Sequence, residues 1–221
     1  MKISCENINM VNCRGTNCYI LRGSDGDILI DTGFEKDRAF VEKWLENYRV
    51  KLIILTHGHF DHVGNAAYFK EKLGAKIAMN RRDFLLSQDN MIHTLHPVSL
   101  MGMAYVKATG MGKMAPKIEP FLPDIVLNEG DSLEKYGVDA MVVDLQGHTR
   151  GSIGILSGGD LYCGDALVNT FFPAPPAIAE SPKHTYATIE YIKNLRPERI
   201  LFGHGNPAGI DEVINKLKLS V

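Results

Sequence analysis

Three imidazoles and a carboxylate fall within the six residues His57-Gly58-His59-Phe60-Asp61-His62. Imidazole and carboxylate together suit zinc, iron or manganese at neutral pH. His57 and His59 stand two apart, so an extended segment turns both the same way. Asp61 and His62 are adjacent and point differently, which suits a second ion beside the first. Chance clustering on a surface loop is the competing explanation, and four donors this close fit it poorly.

Three further donors stand downstream, each where a short apolar run stops and glycine begins. They are His148 in Gln146-Gly147-His148, Asp165 after Gly164, and His204 between Gly203 and Gly205. Functional groups gather at strand-end loops, where glycine lets backbone and ion approach closely. Taken singly, a His or Asp beside glycine is more often a turn residue. With the first cluster the candidates become His57, His59, Asp61, His62, His148, Asp165 and His204, enough for two ions plus an open position for water.

The elements that must position them read as alternating strands and helices. Strands are expected over 17–21 and 27–30, around the Gly23-Ser24-Asp25-Gly26 turn. Phe40, Val41, Trp44, Leu45 and Tyr48 recur at helical spacing, which predicts a helix over 35–48. Residues 51–55 form a buried strand that delivers the first donors. A single helix is expected over 61–73, ended by Gly74, and then a strand over 75–79. Strands over 141–145, 152–157 and 160–163 follow, with Gly158-Gly159 as a hairpin turn. Ser181-Pro182 caps a helix that stops before Pro197. A strand over 199–202 and a last helix carrying Ile210, Val213, Ile214 and Leu217 complete the chain. Periodicity alone licenses a layered protein with both helices and sheets.

The chain of 221 residues is long enough to bury a substantial core, and its 45% hydrophobic content is ordinary for a globular protein. A net charge of −2 shows no footprint for nucleic acid. No apolar run approaches the ~20 residues that span a bilayer. The first residues lack the apolar core of a secretory signal, so a cytoplasmic location is expected. Cys5, Cys13, Cys18 and Cys163 have neither zinc-ribbon nor C-x-x-C spacing. They read as free thiols that behave as small buried hydrophobes.

At His57–His62, His148, Asp165 and His204, in that order, the chain resembles the metallo-β-lactamase superfamily. Ile28-Leu29-Ile30-Asp31-Thr32-Gly33 is similar to the family's early strand-and-Asp signature. The resemblance implies an α+β fold, a four-layer αββα sandwich, as one domain over 1–221. It implies that His57, His59 and His148 hold one ion and that Asp61, His62 and His204 hold the other, with Asp165 bridging. Asp31 would orient a ligand from behind. The implied cofactor is a pair of divalent ions, zinc first, with iron or manganese as alternatives.

Two adjacent ions generate hydroxide from water near neutral pH and polarise a carbonyl or phosphoryl oxygen. The expected activity is therefore hydrolysis of a small ester, thioester or lactone by metal-bound hydroxide, with Asp61 orienting the nucleophile and shuttling a proton. No nucleic acid or membrane partner is expected. The glyoxalase II type adds a helical domain after the position of His204, and with so few residues after His204 here no such domain is expected. The Cys-ligand β-lactamases place a thiol where this chain has Asp165. Two other readings stay open within the resemblance. One is a mononuclear iron enzyme of the persulfide-dioxygenase kind, and the other is a nucleic-acid phosphodiesterase.

The substrate wall is less marked. Residues 84–123 hold Met91, Met101, Met103, Met111 and Met114, five of the nine methionines, with His93, His96, Lys107, Lys113 and Lys117. Adaptable methionines suit a lid or substrate wall, and equally a core-filling helical pair. His93 and His96 read as surface or polar-packing residues. Phe171 and Phe172 either line an apolar pocket or anchor their loop. Arg150 either meets an anionic substrate group or pairs locally at the surface.

Overall fold

The computed structural model of the chain describes residues 8–90, 92, 94–109 and 116–218. Cys5, Met91, His93, Met111, Lys113 and Met114 lie outside the described residues.

Two sheets form the centre. The first runs in the order Asn9–Cys13, Thr16–Leu21, Asp27–Ile30, Val50–Ile54, Lys76–Met79, Ile125–Val126. The second runs Ala208–Gly209, Arg199–Phe202, Asp160–Gly164, Ile153–Ser157, Met141–Asp144. A short ribbon pairs Ile178–Ala179 with His96–Pro97.

Strand alternation explains the layering. Ile28, Ile30, Leu52 and Ile54 turn toward the second sheet and meet Val142, Ile155, Tyr162 and Leu201 there. Their neighbours Leu29 and Ile53 turn outward and meet Val41, Leu45 and Phe69 from the helices Arg38–Leu45 and Ala66–Leu73. On the far side, Val143, Leu161 and Phe202 pack on Ile189, Ile192 and Val213 from Pro182–Leu195 and Ile210–Lys218. The result is an α+β, four-layer αββα sandwich. Each fully buried Leu or Ile contributes about 1.5–3 kcal/mol to holding the layers together.

Two helices differ from the expectation. The helix predicted over 61–73 is broken into Phe60–Val63 and Ala66–Leu73. Asn65 makes the break: its Nδ2 donates to the carbonyls of Thr32 (2.8 Å) and Phe34 (2.7 Å), pinning the interruption to the turn after Asp31. The helix predicted over 35–48 begins as a single 3-10 turn, Glu35–Asp37, and its α-helical part ends at Leu45. Gly74 ends its helix in a left-handed conformation, as a glycine C-cap requires. Ser181 caps the helix Pro182–Leu195 by accepting from the His184 N–H. Cys13, Cys18 and Cys163 are free and buried.

Residues 84–123 hold the end of a 3-10 segment (Arg81–Ser87) and a helix, Leu100–Thr109. Leu100 and Met103 are exposed on it. Gly102 lies against the backbone of Ala177, so the helix packs beside the ribbon strand Ile178–Ala179. His96 is exposed.

Candidate metal centre

All donors leave the C-terminal ends of strands. Asp27–Ile30 leads to Asp31, and the parallel Val50–Ile54 leads to His57, His59, Asp61 and His62. In the second sheet, Asp160–Gly164 and Arg199–Phe202 are parallel and lead to Asp165 and His204. Met141–Asp144 is antiparallel to the strand between, hence parallel to Asp160–Gly164, and leads to His148. Parallel direction within each sheet puts all of these ends on one edge.

The two sheets are tied together at that edge. The Asn17 N–H donates to the Gly203 carbonyl at 2.7 Å, and the Tyr19 hydroxyl donates to the Phe202 carbonyl at 2.7 Å. The Ile153 N–H donates to the Thr56 carbonyl at 2.9 Å. Gly203 has no room for a side chain, because a Cβ there would fall on Asp165 Oδ1 and lie 2.7 Å from His62 Cε1.

Donor atoms gather in three overlapping sets: His57, His59 and His148; His57, His62 and Asp165; and Asp61, His62 and His204. Within each set they lie within 4.8 Å of one another. His59 Nδ1 is 3.0 Å from His57 Nε2 and 2.8 Å from His148 Nε2. His204 Nε2 is 3.2 Å from Asp61 Oδ2, 3.2 Å from Asp165 Oδ2 and 3.4 Å from His62 Nε2. Asp165 faces both groups, since its Oδ2 also lies 3.5 Å from His148 Nε2.

The outer hydrogen bonds fix the tautomers. His62 Nδ1–H donates to Asp31 Oδ2 (2.8 Å), His148 Nδ1–H to the Ile178 carbonyl (2.9 Å) and His204 Nδ1–H to the Gly15 carbonyl (2.9 Å). Thr56 Oγ1 gives its only proton to Asp31 Oδ2 at 2.8 Å, so at 3.1 Å from His57 Nδ1 it can only accept. All four Nε2 atoms therefore turn inward, where a deprotonated ring offers its lone pair to a metal ion. Asp165 Oδ1 is buried, has no hydrogen-bond partner among the described residues, and lies 3.4 Å from His62 Nε2. Converging lone pairs beside an orphaned carboxylate oxygen repel one another unless a cation or protons stand among them. The residues fit divalent metal ions.

The titration shifts follow from this crowding. Burial, and then the neighbouring His62, His59 and His148, push His57 well below the usual imidazole range. Burial also lowers His148. Burial would lower His62 too, but Asp165, Asp61 and Asp31 outweigh it and raise it to about 10. His204 is raised well above its ordinary value against its own burial, by Asp165 and Asp61. Burial works against the charged forms of Asp61 and Asp165, yet His62 and His204 hold both below the usual carboxylate range.

His57, His62, His148 and Asp165 are buried, whereas His59, Asp61 and His204 are partly exposed. The centre thus opens to solvent past His59, Asp61 and His204. Asp61 Oδ2 also accepts from Thr16 Oγ1 at 3.1 Å. The Asn169 N–H donates to the His204 carbonyl at 2.7 Å, which starts the next loop beside the opening. Further along that loop Phe171 is 89% exposed and Phe172 is 39% exposed. Arg150 turns outward, its Nε 3.8 Å from Glu180 Oε2.

Sequence reasoning gave no part to Asp83, Thr56, Thr16 or Asn17. Thr56 and Thr16 flank a donor motif and a turn, and adjacency was the one signal that pointed to them. Asp83 sits in Arg81-Arg82-Asp83, with nothing beside it that marks a buried role. It is instead 1% exposed.

The family model of the metallo-beta-lactamase superfamily matches residues 11–204, and the chain belongs to that family. It is 29% identical to the hydroxyacylglutathione hydrolase GloC of Haemophilus influenzae, over 86% of this chain and 85% of that protein. It is 27% identical to the Beta-lactamase-like protein 2 homolog of Drosophila melanogaster, over 96% of this chain and 65% of that protein. The chain thus spans less than two thirds of the fly relative's length. The structure of TTHA1623 in a di-iron-bound form superposes with a TM-score of 0.70 at 26% identity, covering 96% of this chain and 98% of that one. Among the described residues, no helix is long and apolar enough to cross a membrane.

Proposed function

We propose that this metal-dependent hydrolase cleaves a small ester, thioester or lactone at a centre of two divalent ions. The observation that carries the reading is the pair of donor sets meeting at Asp165, which faces His148 on one side and His204 on the other. His57, His59 and His148 would hold one ion, Asp61, His62 and His204 would hold the second, and Asp165 would serve both. When bound, such ions bring the pKa of water down to about 7 and polarise a carbonyl oxygen. Histidine and carboxylate donors suit zinc, and the di-iron form of a similar structure supports iron as an alternative.

The chain's own groups do the rest. Asp61 stands at the open side with Thr16 steadying its Oδ2, where it orients the attacking water and receives its proton. Asp31 and Thr56 hold His62 and His57 in the ligating tautomer. The substrate enters past His59, Asp61 and His204. Phe171 and Phe172 receive its apolar acyl part, and the helix Leu100–Thr109, packed beside the strand whose Ile178 carbonyl holds His148, supplies a second wall within residues 84–123. Arg150 meets an anionic end of the substrate on leaving Glu180. Acyl glutathione, as in the name of the Haemophilus relative, is a thioester, which favours thioesters within the class.

A panel of thioesters, lactones, esters and phosphodiesters tests the reading on chelator-treated protein reloaded with zinc or with iron. Turnover of a carbonyl substrate that chelation abolishes and zinc restores is the expected result. Turnover indifferent to metal contradicts it, as does persulfide oxidation with a single iron as the only activity.

A further inference from the structure

Asp83 is a buried carboxylate whose partners are all neutral donors. Its Oδ2 accepts the Gly58 N–H at 3.0 Å and the Thr149 hydroxyl at 2.7 Å. Its Oδ1 accepts the Gly151 N–H at 2.7 Å. Burial raises its pKa, and the hydrogen bonds from Thr149, Gly151 and Gly58 offset part of that rise. Burying a carboxylate is costly, and neutral donors compensate only in part. The carboxylate satisfies two loop N–H groups and a hydroxyl that would otherwise be buried unpaired.

The location gives Asp83 a different role. Gly58 is the residue between His57 and His59, and Thr149 follows His148. One carboxylate thus grips the first donor loop and the His148 loop together. The Thr149 hydroxyl also meets Ser152 Oγ at 2.8 Å, so the grip extends into the turn that begins the strand Ile153–Ser157. The fit around it is close on both sides. A Cβ at Gly151 would lie 2.5 Å from Asp83 Oδ1, and one at Gly58 would strike Leu86 on the Asp83 segment. Among the described residues, Asp83 has no hydrogen bond to the loops that bring Asp165 and His204.

We propose that Asp83 is a positioning residue that sets His57 and His59 against His148, and so tunes the ion held by these three imidazoles without tuning the ion held by Asp61, His62 and His204. The proposal rests on the two-ion reading above. Ligand supports of this kind are worth about tenfold to a hundredfold in metal affinity. In Asp83→Asn the amide must turn an N–H at one of the three donors, which opens the grip at that point.

Chelator-treated protein is titrated with zinc while the imidazole resonances are followed one ring at a time by NMR. Wild type is expected to fill both sets. Asp83→Asn should fill the His62/His204 set as wild type does and the His57/His59/His148 set about ten to a hundred times more weakly. Thr149→Val removes one of the gripping donors and should show the same one-sided loss, smaller in size, while Thr149→Ser restores wild-type affinity. This pair decides the matter if Asp83→Asn does not fold. Equal weakening of both sets, or no weakening of either, overturns the role of Asp83 and leaves the two-ion reading intact. Wild type that takes up no zinc overturns the two-ion reading itself.

Discussion

The Nε2 atoms of His62 and His204 lie 3.4 Å apart, and each ring has its Nδ1–H turned away to an oxygen. In the metal-free protein the carboxylates of Asp165 and Asp61, beside both Nε2 atoms, favour protons on these rings and raise His62 to about 10. A metal ion must displace those protons. Metal uptake near neutral pH should therefore release protons, and affinity should fall as pH falls. Calorimetry in buffers of different ionisation enthalpy measures the release directly. Uptake with no proton release at about pH 7 contradicts the charge assignment.

The same shift governs the stability of the metal-free protein. His62 has a folded pKa of about 10, above the ordinary imidazole value of about 6.5, so its contribution is fully present below the lower value and is lost as pH rises through the higher one. His57 and His148 are shifted the other way, so their effect lies below about 6.5 and leaves this window clear. The melting temperature of chelator-treated protein should decline between about pH 7 and 10, with the buried thiols of Cys18 and Cys163 adding to the decline at its upper end in either form, and bound zinc should remove the part due to His62. A flat profile without metal contradicts this.

Asp31 is one of three described non-glycine residues with positive φ, at 59°. That conformation brings its Oδ1 to the Thr56 N–H and its Oδ2 to both the Thr56 hydroxyl and His62 Nδ1. Asp31→Ala should weaken metal binding by about tenfold to a hundredfold. It should also destabilise the metal-free protein by roughly 3–5 kcal/mol, the cost of leaving buried polar groups unpaired. Zinc competition with a chromophoric chelator and denaturant unfolding check the two parts. Unchanged zinc affinity in a folded variant contradicts the orienting role.

Gly203 offers the smallest disruptive change. A methyl there would push on Asp165 Oδ1 and on the His62 ring, the two groups nearest the junction of the donor sets. Gly203→Ala should cost about 1–3 kcal/mol in stability and most of the bound metal. Metal analysis beside a denaturant melt reads both, and a variant that keeps full metal content contradicts the packing described.

Phe171 tests the substrate wall without touching the centre. It is 89% exposed, so Phe171→Ala should leave stability within about 0.5 kcal/mol of wild type. If the ring receives an apolar acyl group, KM should rise for long acyl substrates and change little for acetyl ones. Equal effects on both substrates contradict that role.

Much of this architecture could be read ahead from the residues, and the exceptions have a common cause. Donors at strand ends announce themselves, because an apolar run followed by glycine and a metal-binding side chain states both the element and its end. His148, Asp165 and His204 each have that form. The helix break at Gly64-Asn65 was not legible, because apolar spacing continues across it and the cause is a side chain reaching back to the turn after Asp31. Asn9–Cys13 was missed as a strand, since its alternation is short and one of its faces is only half-buried. Asp83 was hidden for the same reason as Asn65. Its partners Gly58 and Thr149 lie 25 and 66 residues away in sequence, and no local pattern can show them.

The central claim is that two ions share Asp165 between the His57/His59/His148 and Asp61/His62/His204 sets. Metal content per chain, measured on natively purified wild type and on Asp165→Ala, tests it most directly. Two ions in wild type and at most one in the variant, with turnover lost, is the predicted result. Wild type without stoichiometric metal, or a variant that keeps both ions and its turnover, would contradict it.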